Sequence, residues 1–117
     1  MKLAIVGSRD MTDEEFFEKC LNSFIEKYGK PSMIISGGAR GADTLAKRYA
    51  IKNNIPLKEY LPDWKTHGKA AGPIRNALII TDADCVLAFP SRTGSGTQDS
   101  IKKATAKGIP VEVFYID

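Results

Sequence analysis

The sequence predicts an α/β domain: one doubly wound sheet of five mainly parallel strands, with helices on both faces. The pattern along the chain leads there. Short apolar runs alternate with helical stretches along the whole chain. Those runs read as buried strands, so the repeated alternation implies parallel β-α-β units. Right-handed crossovers then place helices on both sides of the sheet.

Lys2–Val6 (K-L-A-I-V) is a short apolar run stopped by Gly7, a buried strand. Thr12-Asp-Glu-Glu15 reads as a capping box, with Thr12 as the cap and Glu15 three residues on. The first helix carries Phe17, Cys20, Leu21, Phe24 and Tyr28 as one apolar stripe, and Gly29 and Pro31 end it. Met33–Ile35 is the second strand. A helix from about Ala42 to Asn53 turns Leu45, Ala46, Tyr49 and Ala50 inward. Leu57–Leu61 is the third strand, followed by a loop from Pro62 to about Gly72. Pro73 suits the first turn of a third helix, with Ile74, Ala77, Leu78 and Thr81 on one side. Cys85–Phe89 is the fourth strand and Pro90–Gly96 a loop. The fourth helix spans about Thr97–Lys107, closed by Gly108 with Pro110 just beyond. Val111–Tyr115 is the last strand.

Composition narrows the function. A chain of 117 residues reads as one domain, residues 1–117. At this size about 65% of the unfolded surface can be buried. Hydrophobic residues at 43% and charged residues at 26% exclude disorder, collagen-like repeats and a coiled coil. No apolar run nears the roughly 20 residues of a membrane span. Met1–Val6 leads straight into a strand, so no signal peptide is expected. Two cysteines without a C-x-x-C make no disulfide framework, and a cytoplasmic setting is the expectation. A net charge of +3 permits an anionic ligand but is weak for a dedicated nucleic-acid binder.

The ten glycines sort by position. Gly29 and Gly108 end helices. The others lie in four loops: Gly7 after strand one; Gly37, Gly38 and Gly41 after strand two; Gly68 and Gly72 after strand three; Gly94 and Gly96 after strand four. These loops should open on one edge of the sheet, where such sheets bind ligands. Glycine there permits close backbone approach, and each loop leads to a helix N-terminus that favours an anion. Tight β-to-α turns that simply need glycine are the plainer explanation. Arg9, Arg40, Arg75, Arg92 and Lys69 fall in the same loops, with the hydroxyls of Ser8, Ser36, Ser95 and Thr97. Guanidinium forks and hydroxyls suit phosphate oxygens. Neither G-x-x-x-x-G-K-[ST] nor a G-x-G-x-x-G after strand one is present.

The combination of G-S-R (7–9), S-G-G-A-R-G-A-D (36–43), G-K-A-A-G-P-I-R-N (68–76) and A-D-C-V-L-A-F-P (83–90) followed by T-G-S-G-T (93–97) resembles the SLOG superfamily. That Rossmann-like group contains the Smf/DprA domain and the LOG nucleotide phosphoribohydrolases. Within it the chain resembles the YspA/cpYpsA-related branch, over roughly Met1 to Val113. The resemblance implies a Rossmann-like sheet of order 3-2-1-4-5 and a pocket for a nucleotide or nucleotide-derived ligand.

One departure bears on chemistry. The LOG pattern P-G-G-x-G-T-x-x-E meets R-T-G-S-G-T-Q-D-S here, Arg92 to Ser100. Gly94, Gly96 and Thr97 match; Arg92 and Thr93 replace Pro and Gly, and Ser100 replaces the Glu. N-glycosidic cleavage profits from a carboxylate near the sugar. Asp99 is adjacent but turned by about 100° on a helix. Other carboxylates could substitute, Asp43 ahead of Asp10, Asp63 and Asp82; Asp43 could hold a ribose hydroxyl, orient Arg40, bind a water or metal, or simply complement a helix dipole. His67 could be an acid–base group or a solvated loop residue, and Trp64 could stack on a base or pack on the sheet edge. No His/Cys/Asp cluster has metal spacing.

The sequence therefore points to a nucleotide-binding module. Its expected ligand-binding residues are Gly7, Ser8, Arg9, Ser36, Gly37, Gly38, Arg40, Asp43, Arg75, Asn76, Gly94, Ser95, Gly96 and Thr97. The rivals are a phosphoribohydrolase and a single-stranded DNA-binding domain. No membrane partner is expected, and the apolar face Ile74–Ile80 could support a homo-oligomer.

Overall fold

The computed structural model describes residues 1–92 and 94–117; Thr93, one of the two loop replacements noted above, lies outside them. The elements run β1 (Lys2–Gly7), α1 (Glu14–Tyr28), β2 (Met33–Ser36), α2 (Ala42–Lys52), β3 (Leu57–Glu59), α3 (Trp64–His67), a 3-10 turn (Gly68–Ala70), α4 (Ala71–Asp82), β4 (Cys85–Phe89), α5 (Gly96–Lys107) and β5 (Val111–Val113). All neighbouring strands are parallel, in the order β3-β2-β1-β4-β5. The doubly wound, Rossmann-like sheet and its strand order are as expected. Among the described residues no helix is long and apolar enough to cross a membrane.

Strand alternation divides the core. Leu3 and Ile5 of β1 face α1 and α2, with Leu87 and Phe89 of β4 beside them. Ala4 and Val6 face the other way, with Val86 and Ala88, against Ile79 and Ile80 of α4 and Ala104 of α5. Both faces of the central strands are therefore dry, which is why their sequences read as unbroken apolar runs. The α1 stripe packs as its spacing requires: Phe17, Cys20, Leu21 and Phe24 are buried, and the Phe17 ring lies 5.1 Å from that of Phe89.

Several local expectations need correction. Asp13, not Thr12, caps α1, its carboxylate accepting from the Phe16 N–H at 3.0 Å. Aspartate and threonine are both good caps, so the motif left the register open by one residue. The loop after β3 contains α3, whose first turn is closed by Asp63 accepting from the Thr66 N–H at 3.1 Å. β3 and β5 are shorter than the apolar runs, although the Tyr60 and Phe114 N–H groups continue the pairing to Ser36 and Ala88 carbonyls.

The face of α4 is the largest correction. Ile74 and Leu78 are 39% and 50% exposed, while Asn76, Ile79 and Ile80 are buried. The helix is apolar nearly all round, so spacing alone could not choose its inner face. Polar anchors choose it instead. At its C-terminal end the Lys107 ammonium donates to the carbonyls of Ile80, Thr81 and Ala83, each at 2.9 Å. Asp82 accepts from Lys2 at 2.9 Å, Lys58 at 3.2 Å and the Tyr60 hydroxyl at 3.0 Å.

These hydrogen bonds, from Lys2 foremost and then from Lys58 and Tyr60, pull the Asp82 carboxyl down to about 2. A carboxyl lowered by folding contributes stability above its unfolded value, near 4, and loses it as pH falls through about 2. Asp82→Asn should therefore cost about 1 kcal/mol at pH 7, the scale of a largely solvated ion pair. Urea unfolding of both proteins between pH 7 and pH 2 checks this; the gap should close toward pH 2.

Candidate functional site

The carboxyl ends of β1, β2 and β4 open on a cleft of about 720 Å³. The β1 loop brings Gly7, Ser8 and Arg9 to its wall, and the loop after β2 brings Gly37, Arg40 and Asp43. α4 adds Arg75 and Asn76, and the start of α5 adds Gly94, Ser95, Gly96 and Thr97. Thus twelve of the fourteen expected residues line one space. Ser36 is fully buried and Gly38 packs beside Leu61 and Glu59; neither reaches the wall. Lys69 and His67 also lie outside it. Arg92 is turned to the C-terminus, where its backbone N–H donates to the Asp117 carboxylate at 3.1 Å and its Nε to the Asp117 carbonyl at 3.2 Å.

The glycines after β1 and β2 answer to the protein's own packing. A Cβ on Gly7 would lie 2.5 Å from the Ala42 Cβ, and one on Gly37 would overlap the Arg75 guanidinium. Gly96 differs: a Cβ there would meet nothing within 4 Å, so the backbone at the start of α5 is open on that side.

The helix ends are unequal. Asp13 and Asp63 cap α1 and α3. Among the described residues α2 and α5, which start in the cleft wall, carry no side-chain cap, although the Ala42 N–H of α2 donates to the Ser8 carbonyl at 3.2 Å. Their first-turn N–H groups have no intrahelical acceptor and carry partial positive charge.

Asp43 is buried, and its Oδ2 accepts from the Ala39 N–H at 3.1 Å. It is therefore an organiser of the 36–43 turn. Burial pushes its carboxyl up, against the opposing pull of the Ala39 N–H and the Arg75 charge. Arg75 is held by three acceptors. Its Nη1 donates to the Gly37 carbonyl at 2.8 Å and, at 3.5 Å, to that of Tyr60; its Nε donates to Asn76 Oδ1 at 3.1 Å. Burial draws the Arg75 guanidinium down, and Asp43 opposes this.

Asp10 and Asp99 also line the cleft, and the expected set omitted both. Asp99 accepts from Asn76 Nδ2 at 3.1 Å and from the Lys103 ammonium one turn along. Burial would raise its carboxyl, but hydrogen bonds from Lys103 and Asn76 hold it below the usual range. The i, i+4 spacing of Asp99 and Lys103 was the available sequence signal. Trp64 stands 53% exposed at the rim, with Gly72 and Pro73 beside it in the wall.

Residues 1–67 match the family model described as YspA, cpYpsA-related SLOG family. Gene 61 protein of Mycobacterium phage D29 is 34% identical across 97% of this chain and 95% of its own length. This chain belongs to the YspA, cpYpsA-related SLOG family. Solved structures share the SLOG fold at lower identity. DNA processing protein A from Streptococcus pneumoniae matches with a TM-score of 0.76 at 21% identity, over 96% of this chain and 49% of that one. The Helicobacter pylori protein, described for its single-stranded DNA binding mode, matches at 0.73 and 22%, over 97% of this chain and 64% of that one. TM1055, a structural genomics target, matches at 0.67 and 22%, over 94% and 71%. This SLOG chain thus spans about half to two thirds of the two DNA processing proteins.

A carboxyl raised by folding binds its proton more tightly in the native state. Its ionisation costs stability as pH climbs from the unfolded value, near 4, through the raised native one. Asp43→Asn removes that ionisation but keeps an acceptor for the Ala39 N–H. The variant's stability relative to the parent should improve from pH 4 to pH 7 in chemical denaturation. An unchanged difference would show that burial is not what governs this carboxyl.

Proposed function

We propose that the cleft binds a nucleotide or nucleotide-derived phosphate ligand and that the protein is a ligand-binding or ligand-sensing module. The observation that carries this reading is the meeting of two uncapped helix N-termini with Arg9, Arg40 and Arg75 in one cleft. N–H groups at helix starts and guanidinium groups both suit phosphate oxygens. The open side of Gly96 leaves room for an oxygen to approach the backbone of α5. Trp64 at the rim offers an apolar face to a base.

Asp99 favours a second reading, phosphoribohydrolysis. It puts an ionised carboxylate in the cleft one residue from the position where LOG enzymes carry Glu, filled here by the buried Ser100. Release of free base from nucleoside monophosphates, abolished by Asp99→Asn, would establish that reading. The Helicobacter pylori DNA processing protein suggests single-stranded DNA as a third ligand. The wall weighs against a polyanion track, because three arginines there face three aspartates.

Trp64 is the sole tryptophan and lines the cleft, so its emission reports occupancy directly. Titration with AMP, ADP and ADP-ribose should shift that emission saturably, and native mass spectrometry of the purified protein should find a retained nucleotide. Arg75→Ala and Arg40→Ala should each weaken the nucleotide by about 1.5–3 kcal/mol, the range of charge-assisted hydrogen bonds. If no nucleotide binds, and an oligonucleotide does so with strong salt dependence, the reading is wrong.

A further inference from the structure

Asn76 stands among the expected ligand contacts, but its amide is already spent. Oδ1 accepts from Arg75 Nε at 3.1 Å. Nδ2 donates to Asp99 Oδ2 at 3.1 Å and to the Gly96 carbonyl at 3.4 Å. The amide orientation is forced, since Arg75 offers only donors on one side and Asp99 and Gly96 only acceptors on the other. The residue is buried, so exchanging these partners for water is not open to it.

The same bonds account for Arg75. A guanidinium has five N–H donors in a fixed plane. Nε is taken by Asn76 and Nη1 by the carbonyls of Gly37 and Tyr60. Among the described residues Nη2 alone has no partner, and Arg75 lines the cleft. Gly37 makes room for this pose, because any Cβ there would strike the guanidinium.

We propose that Asn76 is a positioning residue: it locks the Arg75 plane and ties it to the first turn of α5, leaving the two N–H groups of Arg75 Nη2 as a preset donor pair for one anionic group. Asparagine suits this place because the bridge needs one acceptor and two donors. Aspartate would set a second carboxylate against Asp99, and leucine would fill the volume without bonding either neighbour. The inference deepens the phosphate-binding reading, yet its core, a locked Arg75, holds without any ligand.

Two measurements test it. The first is solvent exchange of the Arg75 Nε–H followed by NMR in ligand-free protein. Asn76→Leu should speed that exchange at least 10-fold while the protein stays folded; an unchanged rate overturns the proposal. The second is a double-mutant cycle with inorganic pyrophosphate as the probe. Asn76→Leu should weaken binding about 10-fold in the parent and have no effect in an Arg75→Ala background. Losses that multiply instead would make Asn76 a ligand contact in its own right and overturn the proposal. If the leucine variant does not fold, Asn76→Ser carries both measurements. Should pyrophosphate and nucleotides all fail to bind the parent, the phosphate reading falls, and the exchange rate still decides the role of Asn76.

Discussion

The cleft depends on how closely three backbones approach at the carboxyl end of β1. Ser8 sits at the junction. Its N–H donates to the Phe89 carbonyl at 2.9 Å, and its own carbonyl accepts from Ala42 at 3.2 Å and Met11 at 3.2 Å. Gly7 fits between Ala42 and Phe89, and Gly41, with φ at +78°, lies where a Cβ would strike the Ser8 carbonyl. A side chain at either glycine would push α2 or β4 away from β1. Arg9, Arg40 and the start of α5 would then no longer border one space.

Such closeness concentrates polar groups in a poorly solvated place. Asp43 and Arg75 both lose hydration there, and each is held nearer its charged form by the other. A half-satisfied cluster would be worse than an apolar one, and here the bonds close. Among the described residues no buried side-chain N or O atom lacks a partner. α4 is the beam that carries the arrangement. Arg75 and Asn76 fix its N-terminal half to β2 and α5, and Lys107 and Asp82 fix its other end to α5, β1 and β3.

What the sequence made legible follows from how local each signal is. The central strands declared themselves because both faces are dry, and helix ends declared themselves through Gly29 and Gly108, whose φ values are +91° and +81°. The fold's identity was carried by several short motifs at once, S-G-G-A-R-G-A-D above all. The inner face of α4 was not legible, because Ile74 and Leu78 match Ile79 and Ile80 in hydrophobicity and only long-range partners distinguish them. α3 was missed because four residues carry no periodicity. Gly37 looked like a ligand glycine, yet the group it makes way for is Arg75, 38 residues later in α4. A sequence can place a glycine in a loop, but it cannot say whether a ligand or the protein itself takes up the space.

The charges of the cleft sharpen what that space can hold. Had Arg9, Arg40, Arg75 and Arg92 all faced it unopposed, a polyanion would have been the natural occupant. Arg92 is instead turned to Asp117, and Asp10, Asp43 and Asp99 stand among the remaining three arginines. Formal charge in the wall therefore cancels, while its distribution does not. Guanidinium groups and helix N–H groups provide donors for an anion, and the ionised Asp99 provides an acceptor close to α5. A ligand matching both must carry a negative group and hydrogen-bond donors within one compact frame. A sugar phosphate has that pairing; a bare phosphodiester track does not. The wall thus offers donors and an acceptor side by side, a property of its residues and not of the fold that presents them.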